Sequence, residues 1–313
     1  MERERNKILV AVDGSEQTHE LVDYLSGVIP ANETEIVLFH IMGKVPDSFW
    51  DWEKDPLTPK HLEHLKKWEL EREKQVRDLM RSVRQQFVDI GMPEYSIMIS
   101  IQKAKEGIAR DLLNEAQRGY DAILVGRNAL GTPSTRMLGS VAGKVVAKLG
   151  VANLWLVGEK PRKGTILIAM DSSGSAMRAV QHVGKMINTS KHSIVLVHVV
   201  RGISVSAAGK ERIFPEEYRQ RLLDEAEDQI KPAFDHAISE LVSAGIRRDK
   251  ISTKVITGAT SRAGALFEES AREGYGTIVV GRKGLSDIAD FDMGRVTGKL
   301  VQLTSGAALW IVA

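Results

Sequence analysis

The sequence contains no cysteine among its 313 residues. This absence excludes disulfides, thiolate metal sites and cysteine nucleophiles. It fits a reducing compartment, and the first residues show no apolar stretch followed by a small-residue cleavage site, so we expect a cytoplasmic protein. No uninterrupted apolar run approaches the roughly 18 residues of a membrane span, so we expect no membrane partner.

Aromatic residues are also few, at 5% of the sequence, and the formal net charge is only +2. Basic and acidic residues are interspersed, whereas nucleic-acid binders usually gather basic residues in a stripe, so we expect no nucleic-acid partner. The fractions of hydrophobic (43%) and charged (27%) residues are typical of a soluble globular protein. The length exceeds that of most single domains and predicts two.

What the sequence does contain is an internal duplication. Four segments recur in the same order, the first two 158 residues apart and the last two 155 apart. They are "KILVAVDGS" (7–15) with "TILIAMDSS" (165–173), "IVLFHIM" (36–42) with "IVLVHVV" (194–200), "GYDAILVGR" (119–127) with "GYGTIVVGR" (274–282), and "LWLV" (154–157) with "LWIV" (309–312). A repeat this long is a whole domain. The joint lies near 158–164, which predicts domains at 1–159 and 160–313.

Strand and helix patterns alternate within each half. Continuously apolar runs, typical of parallel strands covered on both faces, predict ten strands. They lie at about 7–12, 35–42, 95–101, 121–126, 152–157, 165–170, 193–200, 251–257, 277–281 and 307–312. Between Pro59 and Ile90 an apolar stripe with helical spacing comprises Val76, Leu79, Met80, Val83, Phe87 and Ile90. The predicted fold is α/β, with two tandem doubly wound domains, each a five-stranded parallel sheet with helices on both faces.

The loop after each fourth strand carries a glycine frame. The loops are "GRNALGTPSTRMLGS" (126–140) and "GRKGLSDIADFDMGR" (281–295). The first begins like a phosphate loop but has Thr132 where the lysine would stand. Both loops precede a predicted helix, and a helix N-terminus presents free N–H groups to an anion. The carboxyl ends of such strands are where doubly wound folds bind ligands.

The spacing Gly281, Gly284, Gly294 resembles the G-x2-G-x9-G-[ST] pattern of the universal stress protein family. The resemblance covers nearly the whole chain, once per half, and includes an Asp after the first strand (Asp13, Asp171). It implies a tandem member with a Rossmann-like, adenine nucleotide α-hydrolase-like fold. The implied ligand is ATP or a related adenine nucleotide, alone or with Mg²⁺ or Mn²⁺.

The resemblance, carried over position by position, implies a nucleotide site in each half. In the first half the implied residues are Ala11, Val12, Asp13, Ile41, Gly126, Ala129, Gly139, Ser140 and Val141. In the second half they are Ala169, Met170, Asp171, Val199, Gly281, Gly284, Gly294, Arg295 and Val296. No catalytic residue and no protein metal ligand is expected. The histidines His40 and His198 lie in apolar strands and are interpreted as structural.

Each half departs from the family pattern, so the sequence does not indicate which half binds. Ala129 replaces the second glycine in the first half, and Lys103 stands where the second half has Gly258. Lys103 would either crowd the site or pair with phosphate. Arg295 replaces the Ser or Thr in the second half, where it could clamp phosphate. Its loop also carries Asp287, Asp290 and Asp292, either a solvated acidic loop or a reason for a divalent cation.

Three functions are compatible with these features. The leading hypothesis is a nucleotide-regulated stress or signalling module that is not an enzyme, with slow ATP hydrolysis left open. The alternative is a nucleotide-free scaffold acting through protein–protein interaction with an unidentified partner. The third is an enzyme that adenylates a substrate, against which the missing lysine loop and the lack of a catalytic constellation count.

Association and two minor motifs complete the expectations. The family usually pairs domains through their fifth strands, which implies an internal pseudo-dimer through "ANLWLV" and "AALWIV" and leaves a homodimer of chains open. His61 and His64 are interpreted as a surface helix face rather than a metal site. The aromatic stretch Phe49, Trp50 and Trp52 is either a contact surface or packing against the sister domain.

Overall fold

The computed structural model describes residues 5–15, 17–43, 58–127, 138–148, 150, 152–159, 164–202, 216–284, 293–304 and 306–313. For residues 58–62, 216–219 and 222–223 it describes the backbone alone. Strands and helices alternate in the first half. They are β1 (Asn6–Ala11), α1 (Gln17–Val28), β2 (Thr34–Met42), α2 (Thr58–Asp89), β3 (Ile97–Lys103), α3 (Ile108–Ala116), β4 (Ala122–Gly126), α4 (Ser140–Ala147) and β5 (Leu154–Val157).

The second half repeats the same succession of elements. They are β6 (Thr165–Ala169), α5 (Gly174–Met186), β7 (Ser193–Arg201), α6 (Glu216–Ser243), β8 (Ile251–Ala259), α7 (Arg262–Glu273), β9 (Thr277–Gly281), α8 (Arg295–Leu303) and β10 (Ala308–Val312). The duplication seen in the sequence is therefore a duplication of structure. The predicted division at 159/160 falls between β5 and β6 and stays a prediction.

The ten strands form a single sheet in the order β3-β2-β1-β4-β5-β10-β9-β6-β7-β8. Within each half all neighbouring strands run parallel, as predicted. The halves meet where β5 pairs antiparallel with β10, with Trp155 opposite Trp310. The expected pairing through the fifth strands is thus present, and it merges two five-stranded sheets into one.

Helices cover both faces of this sheet, because its strands are apolar on both sides. One core lies under α1, α2, α5 and α6, and the other lies under α3, α4, α7 and α8. The predicted stripe of α2 points into the first core, where Met80, Val83 and Phe87 are fully buried. Ile90, also assigned to that stripe, is 46% exposed because the helix ends at Asp89.

All ten predicted strands are present, with boundaries that differ by at most two residues. The largest errors at a strand start are at β5, which begins at Leu154, and at β3, which begins at Ile97 rather than near residue 95. Pro93 precedes a single 3₁₀ turn over Glu94–Ser96, and this turn delays the strand. Among the described residues, no helix combines the length and apolar character needed to cross a membrane.

Two tryptophans hold the centre of the sheet together. The rings of Trp155 and Trp310 stack with centroids 3.7 Å apart and planes 4° from parallel. The indole N–H of Trp155 donates to Nε2 of His182 at 3.0 Å, and that of Trp310 donates to the hydroxyl of Tyr24 at 2.8 Å. His182 and Tyr24 stand 158 residues apart, so the repeat places them at equivalent positions. The junction is therefore a buried, hydrogen-bonded seam between the two halves.

Candidate functional site

The candidate sites lie at the carboxyl ends of the parallel strands. In each half the chain reverses its direction across the sheet beside the first strand, between β1 and β4 and between β6 and β9. Such a switch point leaves a crevice because the connections on its two sides leave in opposite directions. The loops predicted to hold phosphate follow β4 and β9, so the topology brings each of them to its crevice.

In the second half this crevice is a cleft of about 730 Å³. All nine residues that the sequence implied for this half line it. They are Ala169, Met170, Asp171, Val199, Gly281, Gly284, Gly294, Arg295 and Val296. The volume falls within the ~300–1,000 Å³ usual for small-molecule sites. Residues from the ends of β6, β7 and β9 and from the start of α8 therefore converge on one space.

Three glycines pack closely against their neighbours around this cleft. A Cβ at Gly281 would lie 2.7 Å from backbone atoms of Ser175, so this glycine lets the start of α5 pack against the end of β9. A Cβ at Gly284 would lie 2.8 Å from Oδ2 of Asp171, and one at Gly294 would lie 3.2 Å from the Arg282 carbonyl oxygen. The first glycine of the frame is thus explained by packing alone, and a contact of its backbone with phosphate stays a prediction.

Asp171 organises the turn that leads into α5. Its Oδ1 accepts from the backbone N–H of Ser173 at 3.0 Å and from the hydroxyl of Ser173 at 2.5 Å. The Ser173 hydroxyl in turn accepts from the Ala176 N–H at 3.2 Å, which makes Ser173 the N-cap. Asp13 binds Ser15 in the same way, at 2.9 and 2.7 Å. The aspartate supports a capped helix start and at the same time presents a carboxylate at the cleft.

The two histidines have the structural role expected of them. Nδ1 of His40 lies 2.7 Å from the Val12 carbonyl oxygen, and Nδ1 of His198 lies 2.8 Å from that of Met170. A carbonyl can only accept, so Nδ1 is the donor in both rings. Burial lowers the pKa of His40, which favours the neutral ring. Each histidine ties the second strand of its half to the residue that follows the first strand.

Two helices begin at the second-half cleft. Gly294 precedes α8 without any side-chain cap, so the first N–H groups of that helix are open to an anion. This confirms the predicted helix start after Gly294, and α4 likewise begins after Gly139. The helix α7 begins after Ser261, whose hydroxyl caps it by accepting from the Gly264 N–H at 3.2 Å.

Five cationic side chains line the same cleft, against Asp171 as the one carboxylate among its described lining residues. They are Arg201, Arg262, Lys283, Arg295 and Lys299. Arg262 donates to the Val199 carbonyl oxygen at 3.2 Å, and Lys299 donates to the Ser261 hydroxyl at 3.1 Å. A concave site lined by one sign of charge concentrates ligands of the opposite sign. The lining of the cleft is therefore predominantly cationic.

Four of these cations, Arg201, Arg262, Lys283 and Lys299, were not predicted as site residues from the sequence, although Lys283 lies within the loop after β9. Arg201, Arg262 and Lys299 belong to three different elements, the end of β7 and the helices α7 and α8. A comparison of the two repeats contains a signal for them. At the spacing of the duplication, the first half has Gly43, Gly107, Asn128, Ser140 and Lys144 where the second half has its five cations. Only the pair Lys144 and Lys299 is cationic in both halves.

The first half places its candidate residues at the corresponding crevice. Ala11, Val12 and Asp13 follow one another at the end of β1, Ile41 lies near the end of β2, and Gly126 ends β4. Gly139, Ser140 and Val141 form the start of α4, whereas Ala129 lies outside the described residues. A Cβ at Gly126 would lie 2.6 Å from Oε1 of Gln17, so a larger residue here would have to displace the Gln17 side chain.

Side chains of α2 lie over the strand ends of the first half. Arg72 donates to the Gly43 carbonyl oxygen at 3.3 Å, just past the end of β2. Lys103 forms an ion pair with Glu73 at 3.3 Å. Both interpretations of Lys103, as crowding the site or as pairing with phosphate, stay predictions, because this ion pair lies at the surface and the Lys103 side chain is 67% exposed.

The remaining candidates are a metal site and the minor motifs of the sequence. Within the described part of the chain, no three His, Asp or Glu side chains converge in a way that could hold a metal ion. The acidic residues Asp287, Asp290 and Asp292 and the aromatic stretch Phe49, Trp50 and Trp52 lie outside that part. His64 is exposed on α2, as predicted, whereas the side chain of His61 is not described.

Fold and site together define a tandem Rossmann-like protein with a cleft lined by cationic side chains at the sheet's carboxyl edge. A sequence model of the universal stress protein family matches the chain twice, over residues 4–152 and 164–309. The chain therefore belongs to the universal stress protein family. A comparison with curated proteins found no match.

Solved structures share the fold over almost the full length. A universal stress protein from Archaeoglobus fulgidus DSM 4304 is 14% identical, with a TM-score of 0.58 over 98% of each chain. A functionally unknown protein from Pseudomonas aeruginosa PAO1 is 12% identical, with a TM-score of 0.55 over 98% of this chain and 92% of that one. At these identities the likeness concerns the fold, including the tandem arrangement of the domains.

Proposed function

We propose that the second-half cleft binds ATP or a related adenine nucleotide, and that the protein is a ligand-regulated module of the stress response. The observation that carries this proposal is the meeting of five cations with the uncapped start of α8 in a cleft of about 730 Å³. A triphosphate needs both features, because helix N–H groups orient phosphate oxygens and cations neutralise them.

Particular residues suit each part of the nucleotide. The start of α8 with Arg295 and Lys299 would hold the phosphates, and the Asp171 carboxylate would accept from ribose hydroxyls. The backbone at Val199 would face the base after Arg262 has turned away from its carbonyl group. Asp171 is the one described carboxylate of the cleft, so an accompanying Mg²⁺ would be held mainly by phosphate oxygens and water.

The second half is favoured over the first. Four of its five cations have an uncharged residue at the equivalent first-half position. In the first half, Lys103 is paired with Glu73 and Arg72 reaches over the end of β2. We therefore expect about one nucleotide per chain, with the first half acting as a partner domain rather than as a second equal site.

The nucleotide is proposed to be a ligand and not a substrate. The described cleft has one carboxylate, which is hydrogen-bonded to Ser173, and both structural histidines keep Nδ1 bonded to carbonyl groups. Hydrolysis would accordingly be slow, and adenylation of a second substrate is the less favoured alternative. A chain without cysteine suits the cytoplasm, where bound nucleotide would bias association with a second copy or another protein.

The test begins with protein purified without added nucleotide. After denaturation, any released nucleotide is identified by chromatography and its molar ratio to the chain is measured. Titration calorimetry with ATP and Mg²⁺ then compares Lys299→Ala with Lys144→Ala, which removes the equivalent lysine from the first half. Loss of a charge-assisted contact to phosphate corresponds to about 1.5–3 kcal/mol, or roughly a tenfold to hundredfold rise in Kd.

The matched pair of variants decides which half binds. A large loss in Lys299→Ala with little change in Lys144→Ala supports the proposal, and the reverse result would move the site to the first half. If no nucleotide is released and calorimetry detects no binding of ATP, the proposal fails. The nucleotide-free scaffold would then be the better description of the chain.

A further inference from the structure

A buried arginine crosses from the first half into the second. Arg127 follows the first glycine of the loop after β4 and is 1% exposed. Its guanidinium donates to the carbonyl oxygens of Val301 at 2.5 Å and of Gln302 at 3.2 Å. Both carbonyls belong to the last turn of α8, where helix carbonyl groups have no partner within the helix. The arginine of one loop thus caps a helix of the opposite half.

The equivalent arginine makes the reciprocal contact. Arg282 follows Gly281 at the same place in the second-half loop, 155 residues after Arg127. Its guanidinium donates to the carbonyl oxygen of Gly150, which lies just beyond the end of α4. The two contacts are related by the duplication, although the chain around them is not identical.

The backbone of each arginine closes its own loop. The Arg127 carbonyl oxygen accepts from the Gly139 N–H at 2.9 Å, and that of Arg282 accepts from the Gly294 N–H at 2.9 Å. Those glycines are the N-caps of α4 and α8. Each arginine therefore holds the start of its own phosphate-facing helix through its backbone. The Arg127 side chain also binds the end of α8, whereas the Arg282 side chain binds Gly150, three residues beyond the last residue of α4.

We infer that Arg127 is a positioning residue, which fixes α8, the phosphate-facing helix of the opposite half, and so couples the first half to the second-half crevice. The inference builds on the proposed nucleotide site. The helix α8 has nine residues and, at 1.5 Å per residue, is about 13 Å long, short enough to move as one rigid body. A shift at its Arg127-bound end is carried to the N–H groups at its start.

The positive charge of Arg127 also favours the bound position of α8. A cation at the carboxyl end of a helix is favourable there, and the N-terminal end of the same helix attracts anions. Arg127 never touches the second-half cleft, because it binds the far end of α8. Its influence on a ligand can only pass through the helix, and this separates positioning from direct binding.

The test uses the full-length chain with two readouts. The first is the Kd for ATP with Mg²⁺ by calorimetry, and the second is amide hydrogen exchange in α8 from Gly298 onward, read by mass spectrometry. Arg127→Gln removes the guanidinium fork and is expected to raise both Kd and the exchange rate by about three- to tenfold. Arg248→Gln is the control, because Arg248 also donates to a backbone carbonyl group, that of Ile251 at 2.9 Å, far from the junction.

The outcomes separate this inference from the proposed function. If Arg127→Gln exchanges faster in α8 but the wild type binds no ATP, the nucleotide proposal is refuted and the positioning role is supported. Unchanged exchange and unchanged Kd in folded Arg127→Gln would overturn the inference. If that variant fails to fold, Arg127→Lys, which keeps the charge but not the two-pronged guanidinium, gives the same decision.

Discussion

Acid should destabilise this protein through one histidine at the junction of its halves. His182 is 7% exposed, and its Nε2 accepts from the indole of Trp155 at 3.0 Å. A proton on Nε2 would remove that acceptor and place a charge beside two stacked indoles. Burial, opposed by the nearby charge of Asp121 and assisted by that of Lys185, lowers the pKa of His182 from 6.5 to about 4.

The sign and size of the effect follow from proton linkage. As the pH falls below 6.5 the unfolded chain binds a proton that the native chain refuses until about pH 4. Stability is therefore lost as the pH falls through this window. A difference of about two and a half pKa units corresponds to about 3 kcal/mol, a large part of the ~5–15 kcal/mol by which domains are stable.

The assay is urea unfolding at several pH values between 7 and 4, followed by tryptophan fluorescence. His182→Gln keeps an acceptor but cannot titrate, so the stability difference between wild type and variant should change by about 3 kcal/mol across the window. Carboxylates titrate in both proteins, so their contribution cancels in the difference between the two free energies of unfolding. The control, His64→Gln, removes an exposed histidine of α2. A difference for His182→Gln that stays constant with pH would refute the reasoning.

Three further changes test the packing around the site and the junction by urea unfolding at pH 7. Trp155→Ala should cost about 3–5 kcal/mol, whereas Trp68→Ala, at a residue 51% exposed, should cost far less; equal losses would contradict the central role of the stack. Gly281→Ala should cost about 1–3 kcal/mol because its Cβ would lie 2.7 Å from Ser175 backbone, whereas Gly298→Ala, with its nearest contact at 4.0 Å, should be stabilising. Ser173→Ala should cost about 1 kcal/mol by removing the cap of α5, and an unchanged free energy of unfolding would refute that role.

The fold was predictable because its signals are local and repeated. Continuously apolar runs identified all ten strands, and the duplication fixed their order in two equivalent sets. The errors arose where one residue overrides a pattern, as at Pro93 before β3 and Ile90 beyond the end of α2. The pairing of β5 with β10 was expected from the family resemblance and could not have been derived from apolar runs alone.

The candidate site was predictable in its glycines and strand ends, since parallel topology brings these positions together whatever their side chains. The cations were different. Arg201, Arg262 and Lys299 are far apart in the sequence, and an isolated Arg or Lys on a helix usually faces solvent. The partner of Lys103 was equally hidden, because Glu73 lies thirty residues away on α2. Sequence patterns locate a crevice, whereas the charges that line it depend on tertiary contacts.

The contrast between the halves gives the duplication a physical meaning. Where two copies share one sheet, one can carry a cationic cleft while the other has uncharged residues such as Gly43 and Ser140 at the equivalent positions, without loss of the fold. Trp155 and Trp310 and the arginines Arg127 and Arg282 are present in both halves, and each of these side chains contacts the partner half. A ligand bound in one half would then affect the other half as well.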